Sequence, residues 1–123
     1  MLKIITIAII TIALNGVTLV SANSANRYGA IAYSPRTGAT GWSHKNNRTR
    51  YDAEQRALNG CYKYADDCRI ATWTRNACTA LAVGRNGSWG TGWNVIKARA
   101  KSRAIRACRK RDSGCKIKRW ICT

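Results

Sequence analysis

The chain has 123 residues, of which 22 are Lys or Arg and 5 are Asp or Glu, so its formal net charge is +17. This length fits a single domain, and no stretch after residue 22 is apolar enough to span a bilayer. The charge excess favours contact with polyanions and disfavours contact with other cationic proteins.

Residues 1–22 have the layout of a secretory signal peptide. Lys3 precedes a mostly apolar run, and small residues lead to a cleavage site after Ala22. Cleavage after Ala25 is one alternative, and an uncleaved membrane anchor is another. The prediction is export, to the periplasm or out of the cell, with residues 23–27 as a short linker.

From residue 28 onwards, the order hairpin, helix, strand occurs twice. Short runs around Gly-containing turns predict hairpins, and Ala, Leu, Ile and Cys at i, i+4, i+5 and i+8 predict helices with one buried stripe. Either Thr49 or Asp52 could cap the first helix. The predicted strands cover residues 29–33, 39–42, 69–73, 79–83, 88–93 and 116–121, and the predicted helices cover residues 50–61 and 96–108.

The two copies, at about 28–78 and 79–123, share motifs along their length. The matching pairs are Ala30-Ile-Ala and Ala80-Leu-Ala, Thr40-Gly-Trp42 and Thr91-Gly-Trp93, and two runs of Cys-x6-Cys-[Lys/Arg]-Ile-x-x-Trp that begin at Cys61 and Cys108. We therefore predict one α+β domain over 28–123 with pseudo-two-fold symmetry. Its two helices would lie against an antiparallel sheet of about six strands.

The combination of motifs resembles the domain of unknown function 4189 family of secreted bacterial proteins. The residues that carry the resemblance are Tyr28-Gly-Ala-Ile-Ala-Tyr-Ser, Gly41-Trp42, Trp73-x-x-Asn76-Ala-Cys78-x-Ala-Leu-Ala-Val, Trp89-Gly-x-Gly-Trp93 and Ala-Cys108 to Trp120-Ile-Cys122. The resemblance covers residues 28–123. It implies a bacterial exported domain and supplies no catalytic residues.

Six cysteines in an exported chain of this size imply a disulfide framework. Fifteen pairings are possible, and the repeat favours Cys61–Cys68, Cys108–Cys115 and Cys78–Cys122, the last of which would join the two copies. A zinc site is the alternative, but Cys-x6-Cys is wider than the usual zinc spacing. We expect no metal and no other cofactor.

Five tryptophans occur in the chain. Trp42, Trp73, Trp93 and Trp120 lie at matched positions of the repeat, which favours the core. Trp89 has no counterpart when the two Thr-Gly-Trp motifs are aligned, so we expect it to be exposed. The glycines beside Trp89 and Trp93 would give the rings room to lie across the sheet.

The two copies differ in net charge. Residues 27–78 carry 9 basic and 4 acidic residues, a net +5, whereas residues 79–123 carry 12 and 1, a net +11. The predicted anion-binding residues lie on or just after the second helix: Lys97, Arg99, Lys101, Arg103, Arg106, Arg109, Lys110 and Arg111. Suitable partners are envelope polymers, nucleic acid, or lipid head groups at a membrane surface. We expect a monomer that adsorbs rather than inserts, because the apolar face consists of Ala and Ile.

We expect no catalytic site. His44, the one histidine, lies in a basic loop where a solvated side chain is the default. A secreted nuclease that uses His44 with Glu54 or Asp52 is the main alternative, and a protein-binding effector or inhibitor is another. The pair Asp66-Asp67 is expected to end the first helix. Ser88 lacks the strand-to-helix context of a nucleophile elbow.

Overall fold

The computed structural model describes residues 25–123, so the predicted signal peptide at 1–22 lies outside the described residues. The strands are β1 (Tyr28–Tyr33), β2 (Thr40–Ser43), β3 (Arg69–Arg75), β4 (Cys78–Val83), β5 (Trp89–Asn94) and β6 (Lys116–Cys122), and the helices are α1 (Arg50–Tyr62) and α2 (Lys97–Arg109). Every predicted element is present, and each boundary differs from its prediction by at most two residues.

The six strands form two antiparallel sheets of three strands each, in the orders β2-β1-β3 and β5-β4-β6. The predicted α+β fold with antiparallel strands and two helices is confirmed, and the strands divide between two sheets instead of joining in one. Each sheet and its helix make one unit. The first unit comprises β1, β2, α1 and β3, and the second comprises β4, β5, α2 and β6.

Alternate residues of the central strands face different layers. Ala30 and Ala32 pack with the buried stripe of α1, whereas Ile31 and Tyr33 pack with Leu81 of the other sheet. The strand β4 alternates in the same way and turns its alanines towards α2. The two sheets therefore lie face to face between the helices, in the layer order α1, first sheet, second sheet, α2.

Each helix lies directly on the backbone of a hairpin strand. A Cβ atom on Gly41 would stand 2.0 Å from the carbonyl oxygen of Ala57, and one on Gly90 would stand 2.2 Å from the amide nitrogen of Cys108. A Cβ atom on Gly92 would likewise meet backbone atoms of α2. The prediction that these glycines make room for tryptophan rings is therefore wrong, because they make room for a helix.

The two hairpins differ in register. Trp42 stands opposite Ile31, whereas Trp93 stands opposite Thr79. Matching β1 to β4 places Trp42 with Thr91, so the two Thr-Gly-Trp motifs are not equivalent in space. The second motif is therefore shifted two residues along its strand. The turn after β1 contains six residues and the turn after β4 contains five, which accounts for one residue of the shift, and one extra residue between Val83 and Trp93 accounts for the other.

The solvent exposure of the tryptophans is the reverse of what was predicted. Trp42, Trp73, Trp93 and Trp120 are 43%, 38%, 59% and 40% exposed, whereas Trp89 is half-buried against Tyr33, with ring centroids 6.1 Å apart. The face of each sheet under its helix holds small residues, and the faces between the two sheets hold a narrow set of apolar residues. The four large rings therefore lie at the sheet margins.

The three predicted disulfide pairings are confirmed. The bonds Cys61–Cys68 and Cys108–Cys115 join the end of each helix to the strand that follows it. The bond Cys78–Cys122 does not join the two copies, because its cysteines stand opposite each other on β4 and β6 of the second sheet. In the first unit, Tyr28 and Arg75 occupy the equivalent pair of positions.

Each disulfide loop holds the turn of its own hairpin through a carboxylate. The carboxylate of Asp67 accepts a hydrogen bond from the buried hydroxyl of Ser34. In the second unit, Asp112 accepts hydrogen bonds from the backbone amides of Asn86 (3.0 Å) and Ser88 (3.1 Å) and from the side chain of Asn86. The pair Asp66-Asp67 therefore fixes a hairpin, and α1 ends earlier, at Tyr62.

The contact between helix and strand predicts opposite effects for two neighbouring glycines. Gly41→Ala should destabilise the domain by about 3 kcal/mol or more, because the new methyl group meets helix backbone that cannot move aside. Gly60→Ala should stabilise it by about 0.5–1 kcal/mol, because Gly60 lies inside α1, where its Cβ atom would find ordinary contact distances. Urea unfolding of the oxidised proteins measures both effects. Equal effects of the two substitutions would contradict the proposed contact.

The Asp112 contact predicts a pH-dependent stability. Partial desolvation raises the pKa of this carboxyl, but hydrogen bonds from Ser113, Asn86 and Ser88 outweigh it and hold the pKa below its ordinary value of 3.8. A lowered pKa stabilises the fold above pH ~4, and the stabilisation is lost as the pH falls through the lowered value. Asp112→Asn should therefore be less stable than the parent in urea at pH 7, with a difference that shrinks towards pH 2. A difference that is independent of pH would refute this role.

Candidate anion-binding surface on the second helix

The two helices are built on one template but carry different charge. The buried residues are Ala53, Ala57 and Cys61 on α1 and Ala100, Ala104 and Cys108 on α2, so each position of α2 has an equivalent 47 residues earlier. Within α1, two basic residues balance two acidic ones. Within α2, six basic residues face no acidic residue, which gives a net +6.

The start of α2 lacks the usual stabilising groups. Thr49 caps α1 by accepting a hydrogen bond from the amide of Asp52, which also places an acidic side chain in the first turn. By contrast, Ile96 at the start of α2 offers no side-chain hydrogen bond, and Lys97 and Arg99 follow in the first turn. Cations at this end oppose the helix dipole. The charge of α2 is therefore kept at a cost to the stability of its first turn.

Two of the eight predicted anion-binding residues have scaffold roles that the first unit repeats. Lys97 lies 4.4 Å from the ring centroid of Trp120, as the equivalent Arg50 lies 4.3 Å from that of Trp73. Arg103 donates a hydrogen bond to the carbonyl oxygen of Trp93 (3.0 Å), and its equivalent Arg56 likewise donates to carbonyl groups of the chain that precedes α1. These contacts hold each helix to its own sheet.

Three other predicted residues come together on the outer side of α2. Lys101, Arg106 and Arg109 line a shallow groove of about 410 Å³ with Ser102 and Ile105, and we call these five residues the basic groove. The equivalent residues of α1 are Glu54, Gln55, Leu58, Asn59 and Tyr62. The groove therefore carries three positive charges where the first unit carries one negative charge.

The remaining predicted cations are spread around this groove. Arg99, Lys110 and Arg111 are all exposed. Lys110 has a basic counterpart, Lys63, in the first unit. Arg111 lies at a different depression, beside Pro35 and the turn that follows β4. The structure thus gathers part of the predicted set into one surface and leaves the other members apart.

Among residues 25–123, no ion pair includes a Lys or Arg side chain of α2. The pairs in this range join Arg36 to Asp66 and Asp67, and Arg50 to Glu54, all within the first unit. The one acidic residue of the second unit, Asp112, accepts hydrogen bonds from a turn. Within this part of the chain, no carboxylate neutralises the basic groove.

The depression that His44 lines includes neither of the proposed catalytic carboxylates, Asp52 and Glu54. His44 lines a depression of about 620 Å³ whose charged side chains are Arg27, Lys45 and Arg48. Among the described residues, no Asp or Glu side chain lines it. Glu54 is instead paired with Arg50 in α1.

The contact that Arg119 makes was not predicted from the sequence. Its guanidinium lies 3.6 Å from the ring centroid of Trp42, a residue of the other sheet, and its Nε atom is buried without a hydrogen-bond partner. The equivalent residue of β3 is Thr72, so the repeat gives no sign of this contact. It depends on the face-to-face packing of the sheets, which local sequence patterns do not encode.

The comparisons with known proteins find the same family that the sequence motifs resemble. Residues 28–122 match the family model described as "Domain of unknown function (DUF4189)". No curated protein matches the chain. Among residues 25–123, no helix is long and apolar enough to cross a membrane.

A solved structure is also similar to this chain. It is the NMR structure of Rv1813c from Mycobacterium tuberculosis, with a TM-score of 0.57 and 32% sequence identity, and the match covers 79% of this chain and 75% of that chain.

The match to the family model, over residues 28–122, spans both hairpin-helix-strand units. The chain therefore belongs to the DUF4189 family of domains of unknown function.

Proposed function

We propose that this chain is an exported domain that binds an anionic polymer through the basic groove of α2. The observation that carries the proposal is the difference between two equivalent helices in one molecule. Both helices pack with the same alanines and cysteine, so packing does not require the charge of α2. A helix with so many like charges repels itself unless an anion compensates it.

The shape of the basic groove favours an extended polyanion over a small ligand. The groove is shallow, and its three cations lie at i, i+5 and i+8 along the outer side of α2. Arg106 and Arg109 are exposed, and Lys101 is half-buried with its ammonium 4.7 Å from the ring centroid of Trp120. Side chains so placed on a convex helix contact a charged chain from outside without enclosing it. Such contacts act mainly through counterion release, so they weaken steeply as the salt concentration rises.

Export is supported by two independent features. Residues 1–22 have the pattern of a signal peptide. All six cysteines are paired in disulfides, which form and persist in oxidising compartments. We propose that the domain acts in the periplasm or outside the cell, where envelope polysaccharides, anionic lipid head groups and released nucleic acid are available.

A matched pair of triple variants tests the groove. Lys101, Arg106 and Arg109 are changed to Gln in the first variant, and the exposed residues Lys45, Arg48 and Lys63 of the first unit are changed to Gln in the second. Both variants lose the same charge. Heparin and duplex DNA serve as probes over a range of salt concentrations.

The groove variant should bind both probes at least tenfold more weakly than the parent. Its slope of log K against log salt for DNA should fall by about 2–3, because each lost phosphate contact removes roughly one unit. The control variant should stay close to the parent. Equal losses in the two variants would show that net charge alone attracts the polymer, and unchanged binding in both would end the proposal.

A further inference from the structure

A second surface, separate from the basic groove, lies along the outer edge of β3. This strand pairs with β1 on one side, and among residues 25–123 no strand pairs with its other side. A groove of about 550 Å³ follows that free edge. It is lined by five consecutive residues of β3, Ala71 to Arg75, and by Trp93 from the other sheet.

The equivalent edge of the second unit is protected. Lys116, Lys118 and Arg119 are spread along β6, and charged residues on an edge strand oppose pairing with another chain. Arg119 also lies over the ring of Trp42, which leaves that ring less exposed than the ring of Trp93. The hairpin strands β2 and β5 form the other two sheet edges, and each has a helix packed on its backbone.

The free edge of β3 has a β-bulge at Ala71, as β6 has at Lys118, but it lacks the charged residues in its middle. Residues 70–74 are uncharged, and Thr72 stands where β6 has Arg119. The hydroxyl of Thr72 bonds to that of Thr79 at 2.8 Å, so the side chain is held between the sheets and covers nothing. The ring of Trp93 beside this edge is 59% exposed. An unpaired strand edge next to an aromatic platform matches the way many domains bind an extended peptide as an added strand.

Charge decides between the possible occupants. Arg69 and Arg75 are exposed at the two ends of β3. In an antiparallel pair of two copies, Arg69 of each chain would lie at the same end of the pair as Arg75 of the other, so like charges would meet at both ends. The bulge at Ala71 turns these two arginines to opposite faces of the sheet, so this repulsion is modest. The strong positive charge of the whole chain adds to that repulsion. A peptide with acidic residues near both ends has the opposite effect.

We propose that the outer edge of β3, together with Trp93, binds an extended acidic segment of another protein as a fourth strand of the first sheet. Because Ala71 is bulged, Arg69 and Arg75 stand opposite residues that are five apart on β1. Acidic side chains about five residues apart on an added strand, or roughly 17 Å, would therefore reach both arginines. An apolar side chain between them would pack on Trp93. This site is independent of the basic groove, so either proposal can fail alone.

A synthetic peptide provides the probe. Its sequence is Glu-Val-Thr-Val-Thr-Glu with blocked ends, and its control has the same side chains with three central amides methylated. Methylation removes the hydrogen bonds of an added strand and keeps the charge. The protein is the groove variant with Lys101, Arg106 and Arg109 changed to Gln, so that adsorption to α2 is reduced.

Binding is followed by NMR and by amide hydrogen exchange. Exchange should slow for amides within residues 70–74 and stay unchanged within residues 117–121 of β6. The methylated peptide and the Trp93→Ala protein should each bind about tenfold more weakly, the scale of an aromatic anchor in an interface. Trp42→Ala, a matched change beside β6, should bind as the parent does.

Three results would overturn the proposal. The first is equal binding of the methylated peptide, which would show charge attraction without strand pairing. The second is equal affinity of the Trp93→Ala protein and the parent. The third is displacement of the peptide by oligothymidylate, which would assign Trp93 to the stacking of bases instead of to a protein partner.

Discussion

The close contact between each helix and its sheet is the constraint on which the rest of the structure depends. Gly41 in the first unit and Gly90 and Gly92 in the second leave no space for a Cβ atom, and alanines face them from the helices. Because these surfaces are so flat, helix and strand approach through their backbones. Large rings therefore have no place in these layers, and the tryptophans lie at the margins.

The margins bring aromatic rings and cations together. Arg50 lies over Trp73, Lys97 and Lys101 lie over Trp120, and Arg119 lies over Trp42. Such contacts contribute about 0.5–1 kcal/mol each at exposed sites. They bind the edges of the layers together without adding to the core. The pair Arg50–Trp73 recurs as Lys97–Trp120, so part of the basic character of the chain belongs to its scaffold.

The duplication provides an internal reference for function. A feature present in both units is explained by the shared fold, as for Arg56 and Arg103, which hold equivalent segments. A feature that is present in just one of the two units requires another explanation. Lys101, Arg106 and Arg109 on α2 and the open edge of β3 are such features. They lie on different layers, so the two surfaces can bind different partners.

Local patterns predicted the elements, the helical stripes and the two short disulfides, because each of these depends on the spacing of nearby residues. The bond Cys78–Cys122, with a sequence separation of 44, was predicted from the two cysteines that those pairs left over. The positions of the tryptophans could not be predicted, since the identical Thr-Gly-Trp motifs at Trp42 and Trp93 differ by two residues in their register with the central strands. Of the candidate site, the basic character of α2 was predicted. The scaffold contacts that separate Lys97 and Arg103 from the groove are made to other strands, so they could not be predicted.

The most direct test of the central claim is a titration of the ¹⁵N-labelled protein with a heparin hexasaccharide. The account predicts chemical-shift changes centred on Lys101, Ser102, Ile105, Arg106 and Arg109 that are strong at ~0.05 M salt and largely lost at ~0.5 M, with α1 unaffected. Changes of similar size on α1 and α2, or none on α2, would contradict it.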